Sequence, residues 1–182
     1  MTRDAASADA PMSGSLVPAG LEATLVLLRH GETEYLLERR FQGRAETPLS
    51  ARGRRQAALG GERVAHPERL PALPVPAGPP LFVAHSPLRR TVETASAVSG
   101  ALREAGMGEV GLIAVPGLVE IHQGAWEGLT QEEVADRYAA ELAGWRRRPW
   151  EAHAPGGESL GDVDRRVREG VAPLLARLAA NG

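Results

Sequence analysis

The sequence predicts an α/β sandwich on a largely parallel sheet, and three observations carry that expectation. Short apolar runs alternate with longer segments of helical period. The runs at 24–28 ("TLVLL") and 81–84 ("LFVA") are too short for helices and read as strands, as does part of "GLIAVPGLVEI" at 111–121. Each run ends in residues that strand interiors avoid: "RHG", "HSPLRR" and, after the third, Glu120. A charged group at the end of a buried strand costs desolvation energy unless something there uses it. In open parallel sheets the carboxyl ends of the strands are where ligands sit.

The connecting segments fit the same frame. After the first strand comes a polar loop, 31–50, closing in Pro48 and a helix cap at Ser50. Residues 51–65 read as a helix weakened by Gly60 and Gly61. "HPERLPALPVPAGPP" is an extended, exposed connector. Ser86 and Pro87 open the next helix, whose Leu88, Val92, Ala95, Val98 and Leu102 share one apolar face. The pattern Thr130 to Glu133 is a capping box for a helix over 130–145. A final helix starts at Ser159, buries Leu160, Val163, Val167, Val171, Leu174 and Leu178, and is kinked at Pro173. Residues 1–20, small, polar and proline-bearing, read as a disordered tail, and 21–182 as a single domain.

Composition narrows the chemistry. The 182 residues include no cysteine, which excludes disulfides, thiolate catalysis and Cys-type zinc sites. Every basic side chain among the 21 is arginine. The absence of lysine removes Walker-type phosphate loops and Schiff-base catalysis. A net charge of −2 favours neither a polyanion partner nor a membrane surface. No run approaches the ~18 apolar residues of a membrane span and no signal-type segment opens the chain, so the cytoplasm is the expected compartment. No metal or cofactor is expected: the five histidines lack the spacing of a zinc helix. "WRRRPW" at 145–150 is the one stretch open to a nucleic-acid reading; three arginines closing a helix are better read as a solvated terminus.

The strand ends supply a coherent set of groups. Arg29 and Arg90 present guanidinium forks suited to phosphoryl oxygens. A neutral His30 between two positive charges is a nucleophile able to hold a phosphoryl group covalently. Glu120 can protonate a leaving alkoxide and later activate water.

Four stretches carry a family resemblance. "LLRHGETEYLLERRFQGRAETPLSARGRRQA", "HSPLRRTVETA", "LVEIHQGAWEGLT" and "PGGESLGDVDRRV" occur in the order found in the histidine phosphatase superfamily, the phosphoglycerate mutase-like proteins. The resemblance implies a three-layer sandwich with helices on both faces of a mostly parallel sheet. It implies His30 as phosphorylated nucleophile, Arg29 and Arg90 as phosphate clamps and Glu120 as proton donor. Gln42 and Gly43 fall in the loop that lines the substrate mouth. The substrate would be a small phosphorylated metabolite, and "FQGRAETPLS" resembles the small-molecule phosphatase branch more than the mutases.

Two departures bear on activity. Leu36 stands where family members commonly have an asparagine that touches phosphate. The family's second catalytic histidine lies on a strand after the final helix, and "LLARLAANG" ends where that strand is expected to begin, so the fold is expected to be incomplete there. His85 is the best-placed stand-in. A catalytically impaired or binding-only protein and a phosphoglycerate mutase remain the alternatives to a phosphatase.

Overall fold

Three residues of β1, Val83–His85, pair in parallel with β2, Leu112–Ala114, in the register Val83 to Leu112, Ala84 to Ile113 and His85 to Ala114. The computed structural model to which they belong describes residues 14–181. Thirteen residues of the expected tail therefore lie outside the described part.

Helices follow in the anticipated order. A short α1, Glu34–Leu37, is capped by the Thr33 hydroxyl. α2, Ala51–Ala65, is capped by Ser50, whose Oγ accepts the Gly53 amide. Gly60 and Gly61 do not interrupt it. At Gly61 a Cβ would lie 2.9 Å from the Ala97 carbonyl, so the missing side chain is what lets α2 approach α3, Arg89–Glu104. Between them lies a core of Ala65, Val98, Leu102 and Val110. Four of the five residues expected on the apolar face of α3 are buried, Val92 being the exception.

A second core surrounds Trp126, which is fully buried with Val134, Leu142 and Ala154. Phe41 tilts against Trp126 at 5.5 Å and Trp145 meets it edge-on at 6.3 Å. This packs one tryptophan of "WRRRPW", half-buried, against the core. The helix expected over 130–145 is two: α4, Gln131–Arg137, and α5, Ala139–Arg147, broken where Tyr138 adopts φ −133° and ψ 37°. Its capping box is present, with Thr130 and Glu133 each bonded to the other's amide.

The last helix, α6, spans Leu160–Asn181 and contains Pro173. Its start is held reciprocally: Asp162 accepts the Ser159 amide at 3.1 Å and Ser159 Oγ accepts the Asp162 amide at 3.2 Å. Leu175, outside the expected stripe, is its most deeply buried side chain, at 2% exposure, and the expected residues are half-buried. Gly117 and Gly170 lie Cα against Cβ position at 3.0 Å, which seats α6 on the 3₁₀ turn Pro116–Leu118.

Two expectations need correcting. Residues 24–28 form no strand: none of the ladders or bridges among the described residues includes them, and Leu27 is 95% exposed. An apolar run becomes a strand only when a neighbour takes up its amides and carbonyls, and no described segment does so here. The third apolar stretch is strand only over Leu112–Ala114. Pro116 and Gly117 turn it into a 3₁₀ helix, so Glu120 arrives through a turn rather than at a strand end. The fold class stands: an α/β protein with a parallel pair and helices packed around it. No described helix is long and apolar enough to cross a membrane.

Candidate active site

The loop 29–32 is tied to two helices. The Gly31 amide donates to Thr94 Oγ1 on α3 at 3.3 Å, and Thr94 in turn donates to the Arg90 carbonyl. Glu32 accepts the Ser50 amide on its carbonyl and the Ser50 hydroxyl on Oε1, both at 2.8 Å, while its own amide reaches Gln56. His30 is thereby fixed, half-buried, with Nδ1 donating to the Gly31 carbonyl at 2.6 Å. A carbonyl only accepts, so the proton sits on Nδ1 and Nε2 keeps its lone pair. Burial is the largest influence lowering the His30 pKa. The positive charges of Arg90 and Arg29 lower it further, against the Gly31 hydrogen bond and the Glu120 charge. The charges of Arg29, Arg90 and Glu120 thus all reach this ring, and the structure gathers the four expected residues in one neighbourhood.

Arg90 is 1% exposed. Its Nη1 donates to the Ala45 carbonyl at 2.9 Å and its Nη2 to the Gly43 carbonyl at 2.7 Å. Nε is buried without a partner, and no carboxylate pairs with this guanidinium among the described residues. Burial lowers its pKa, opposed by the charges of Glu120, Glu46 and Glu127; an arginine nevertheless stays protonated. A buried cation with an idle N–H is an incomplete arrangement that an anion would complete. Arg29 is exposed and also lacks a carboxylate partner among the described residues.

Gln42 and Gly43 line the neighbouring loop. Gln42 Oε1 accepts from Thr33 and, at 2.8 Å, from Thr47, which turns its amide nitrogen the other way. Gly43 has φ +48°, and a Cβ there would overlap the Glu127 carboxylate, which accepts the amides of Arg44 at 2.9 Å and Gln123 at 3.0 Å. Glycine is required on both counts.

Glu120 exposes its side chain, with Oε1 accepting the Ile121 amide at 2.8 Å. Its carbonyl is held by Arg44 Nε at 3.3 Å and by Arg166 Nη2 at 3.1 Å. Arg44, Arg166 and Glu158 were not picked out individually in the sequence, although the last two fall inside the fourth quoted motif. The signal was a motif without a role attached to its residues.

The departures are visible too. Leu36, in α1, is 38% exposed and offers no polar atom beyond its backbone. His85 sits at the end of β1 with Nδ1 donating to the Ser86 carbonyl at 2.8 Å, the same tautomer as His30. His122 Nδ1 donates to the Gly156 carbonyl, and His66 lies 3.4 Å from Glu68. Two surface grooves, of about 380 Å³ beside Arg146 and Arg147 and about 390 Å³ beside Arg54 and Glu93, are lined by none of the residues in this set.

A profile of the histidine phosphatase superfamily, branch 1, matches residues 25–181 and so takes in every residue of the site. The chain belongs to the histidine phosphatase superfamily. Among its relatives is a glucosyl-3-phosphoglycerate phosphatase of Mycobacterium tuberculosis, 38% identical over 86% of this chain and 60% of that protein. Phosphoserine phosphatase 1 of Hydrogenobacter thermophilus is 32% identical over 79% of this chain and 60% of that protein. Solved histidine phosphatase structures superpose likewise. A mycobacterial glucosyl-3-phosphoglycerate phosphatase complexed with VO3 gives a TM-score of 0.62 at 35% identity, over 83% of this chain and 64% of that one. Bacillus stearothermophilus YhfR gives 0.67 at 30% identity, over 82% and 65%. This histidine phosphatase chain thus spans about 60% of the length of the curated relatives it matches.

Proposed function

We propose that the chain carries the phosphoryl-transfer half-site of a phosphomonoesterase acting on a small phosphorylated metabolite, with His30 as nucleophile. The observation that carries the reading is the Nδ1 bond of His30 to Gly31, which leaves Nε2 unprotonated beside Arg29 and Arg90. In the first step the Nε2 lone pair attacks phosphorus and the ester P–O bond breaks. The departing alkoxide takes a proton from Glu120. In the second step water attacks the phosphohistidine, Glu120 accepts its proton, the P–N bond breaks and inorganic phosphate leaves. Arg29 and the idle Nε–H of Arg90 bind the phosphoryl oxygens throughout, which supplies the positive charge without a metal. Gln42, its amide nitrogen turned from its threonine partners, and the Gly43 loop border the ester side. The cytoplasm is the compartment in which such a metabolite would be met.

The relatives named as phosphatases of glucosyl-3-phosphoglycerate and phosphoserine support a substrate of this size and charge. A second reading, phosphate binding with impaired turnover, is favoured by Leu36, which offers no side-chain donor where the family places one. A mutase is the in-family alternative, a phosphoglycerate mutase of Gloeobacter violaceus being 34% identical over 78% of this chain. The test is hydrolysis of an aryl phosphate in EDTA by the parent and by His30→Ala, with acid-labile phosphate measured on both. His30-dependent turnover supports the phosphatase. Phosphate incorporation without release supports the impaired reading, and transfer to a glycerate without hydrolysis supports the mutase. Turnover retained by His30→Ala would remove the mechanism.

A further inference from the structure

Arg166, on α6, spends its whole guanidinium on one place. Nε donates to Glu158 Oε1 at 3.0 Å and Nη2 to Glu158 Oε2 at 2.9 Å, a bidentate pair. Nη1 donates to the carbonyls of Gly117 and Val119, both at 2.7 Å, and Nη2 also to the carbonyl of Glu120 at 3.1 Å. All five of an arginine's donors are accounted for. Glu158 is just as fully used. Its Oε1 also accepts Arg44 Nη2 at 2.5 Å and its Oε2 accepts the His122 amide at 3.0 Å. Arg44 returns to the same strand of chain through Nε, which donates to the Glu120 carbonyl. Carbonyls 117, 119 and 120 and amide 122 are therefore held by one ion-pair cluster, on either side of Ile121. The pair is largely sheltered, with side-chain exposures of 18% for Arg166 and 19% for Glu158.

Surface ion pairs rarely repay the ordering of two long side chains. A sheltered pair whose every donor meets a backbone group or a carboxylate defines geometry instead. The geometry defined here is that of the Glu120 residue's backbone; its carboxylate is exposed and, among the described residues, is held only through the neighbouring Ile121 amide. We propose that Arg166 and Glu158 are positioning residues for the reaction: they hold the 117–122 turn so that the Glu120 carboxyl stands at the leaving group. This rests on the reading of Glu120 as proton donor given above. It makes α6 part of the site although none of its side chains touches substrate.

Leaving groups separate positioning from mere stability. Nitrophenolate departs without a proton, whereas an alkoxide needs one from Glu120. Arg166→Lys keeps a cation on α6 but cannot reproduce the planar fork. It is expected to lower kcat for an alkyl phosphate by on the order of 10²-fold, with KM little changed, and kcat for p-nitrophenyl phosphate by only a few fold. Glu120→Gln should show the same selectivity, and adding Arg166→Lys to it should cost little more. Equal losses on both substrates, or additive losses in the double variant, would overturn the proposal.

A parent with no turnover would defeat the phosphatase reading alone. Positioning is then read by NMR on the same intact chain. Glu158→Ala should speed exchange of the His122 amide at least about tenfold while α3 amides stay protected. Arg166→Lys should likewise speed exchange of the Ile121 amide, which donates to Glu120 Oε1. If the His122 and Ile121 amides both keep their exchange rates, Arg166 and Glu158 do not position the acid.

Discussion

Gly31 and Gly53 meet backbone to backbone: a Cβ on Gly31 would overlap the Gly53 carbonyl, and one on Gly53 would overlap the Glu32 carbonyl. The His30 loop thus rests directly on the start of α2, where Ser50 and Gln56 also bind Glu32.

That contact predicts opposite outcomes for two glycine-to-alanine changes inside helices. Gly53→Ala adds helix propensity but forces a methyl into the Glu32 backbone, and should destabilise by about 1–3 kcal/mol. Gly100→Ala, in α3, meets nothing within 4 Å and should stabilise by about 0.5–1 kcal/mol. Urea midpoints of both variants check this. Stabilisation by Gly53→Ala would mean that the loop does not rest on α2. Activity should fall with Gly53→Ala and not with Gly100→Ala.

The protonation of His30 predicts a pH profile. With its pKa lowered chiefly by burial and next by Arg90 and Arg29, the ring stays neutral below the ordinary imidazole value of about 6.5. The acid limb of kcat/KM should therefore fall below pH ~6.5. Arg29→Gln removes one of the depressing charges and should move that limb upward, less at high salt because Arg29 is exposed. Carbon-13 NMR of the His30 ring reads the same titration without turnover. A limb above the ordinary value would contradict the geometry.

Glu158 predicts an acid-dependent part of stability. Burial is the largest influence on its carboxyl and pushes it up, but the Arg166 fork, the His122 amide and the Arg44 charge together hold it below the ordinary range. The unfolded chain then binds the proton more readily, so stability rises with pH across that window. The contribution is complete above the ordinary value of about 4.3 and is lost as pH falls through the depressed one. Glu158→Gln should be less stable than the parent at pH 7, and the gap should close on acidification below pH ~4. Denaturant midpoints from pH 7 to 3 measure it; a gap independent of pH would show that the charge of Glu158 contributes nothing.

Helix α3 has its own predicted weak point. Its N-cap, Leu88, offers no side-chain bond, and the Glu46 carboxylate accepts the Arg89 amide at 2.9 Å instead. Glu46→Ala should cost about 0.5–1 kcal/mol, and Glu46→Gln less because an acceptor remains. Equal stability of all three proteins in urea would remove Glu46 as the cap.

Local chemistry was legible in the order of residues. The Ser50 cap, the Thr130–Glu133 capping box and the buried stripe on α3 are set by neighbours within four positions or by the helical period. The motifs around His30, Arg90 and Glu120 were legible for the same reason, since each is a short contiguous stretch, and the family match over 25–181 bears out the membership they implied. What lay beyond reach depends on partners distant in the chain. Whether 24–28 pairs as a strand depends on a neighbour, and none among the described residues takes that place. Gly61 reads as a helix breaker until α3 is laid against it. The Glu46 cap spans 43 residues, and the Arg44–Glu158 pair spans 114. Sequence by itself determined which chemical groups stand in the family motifs around His30, Arg90 and Glu120. Tertiary structure alone decided how they are held, because hydrogen bonds between side chains and remote carbonyls leave no periodic trace in the sequence.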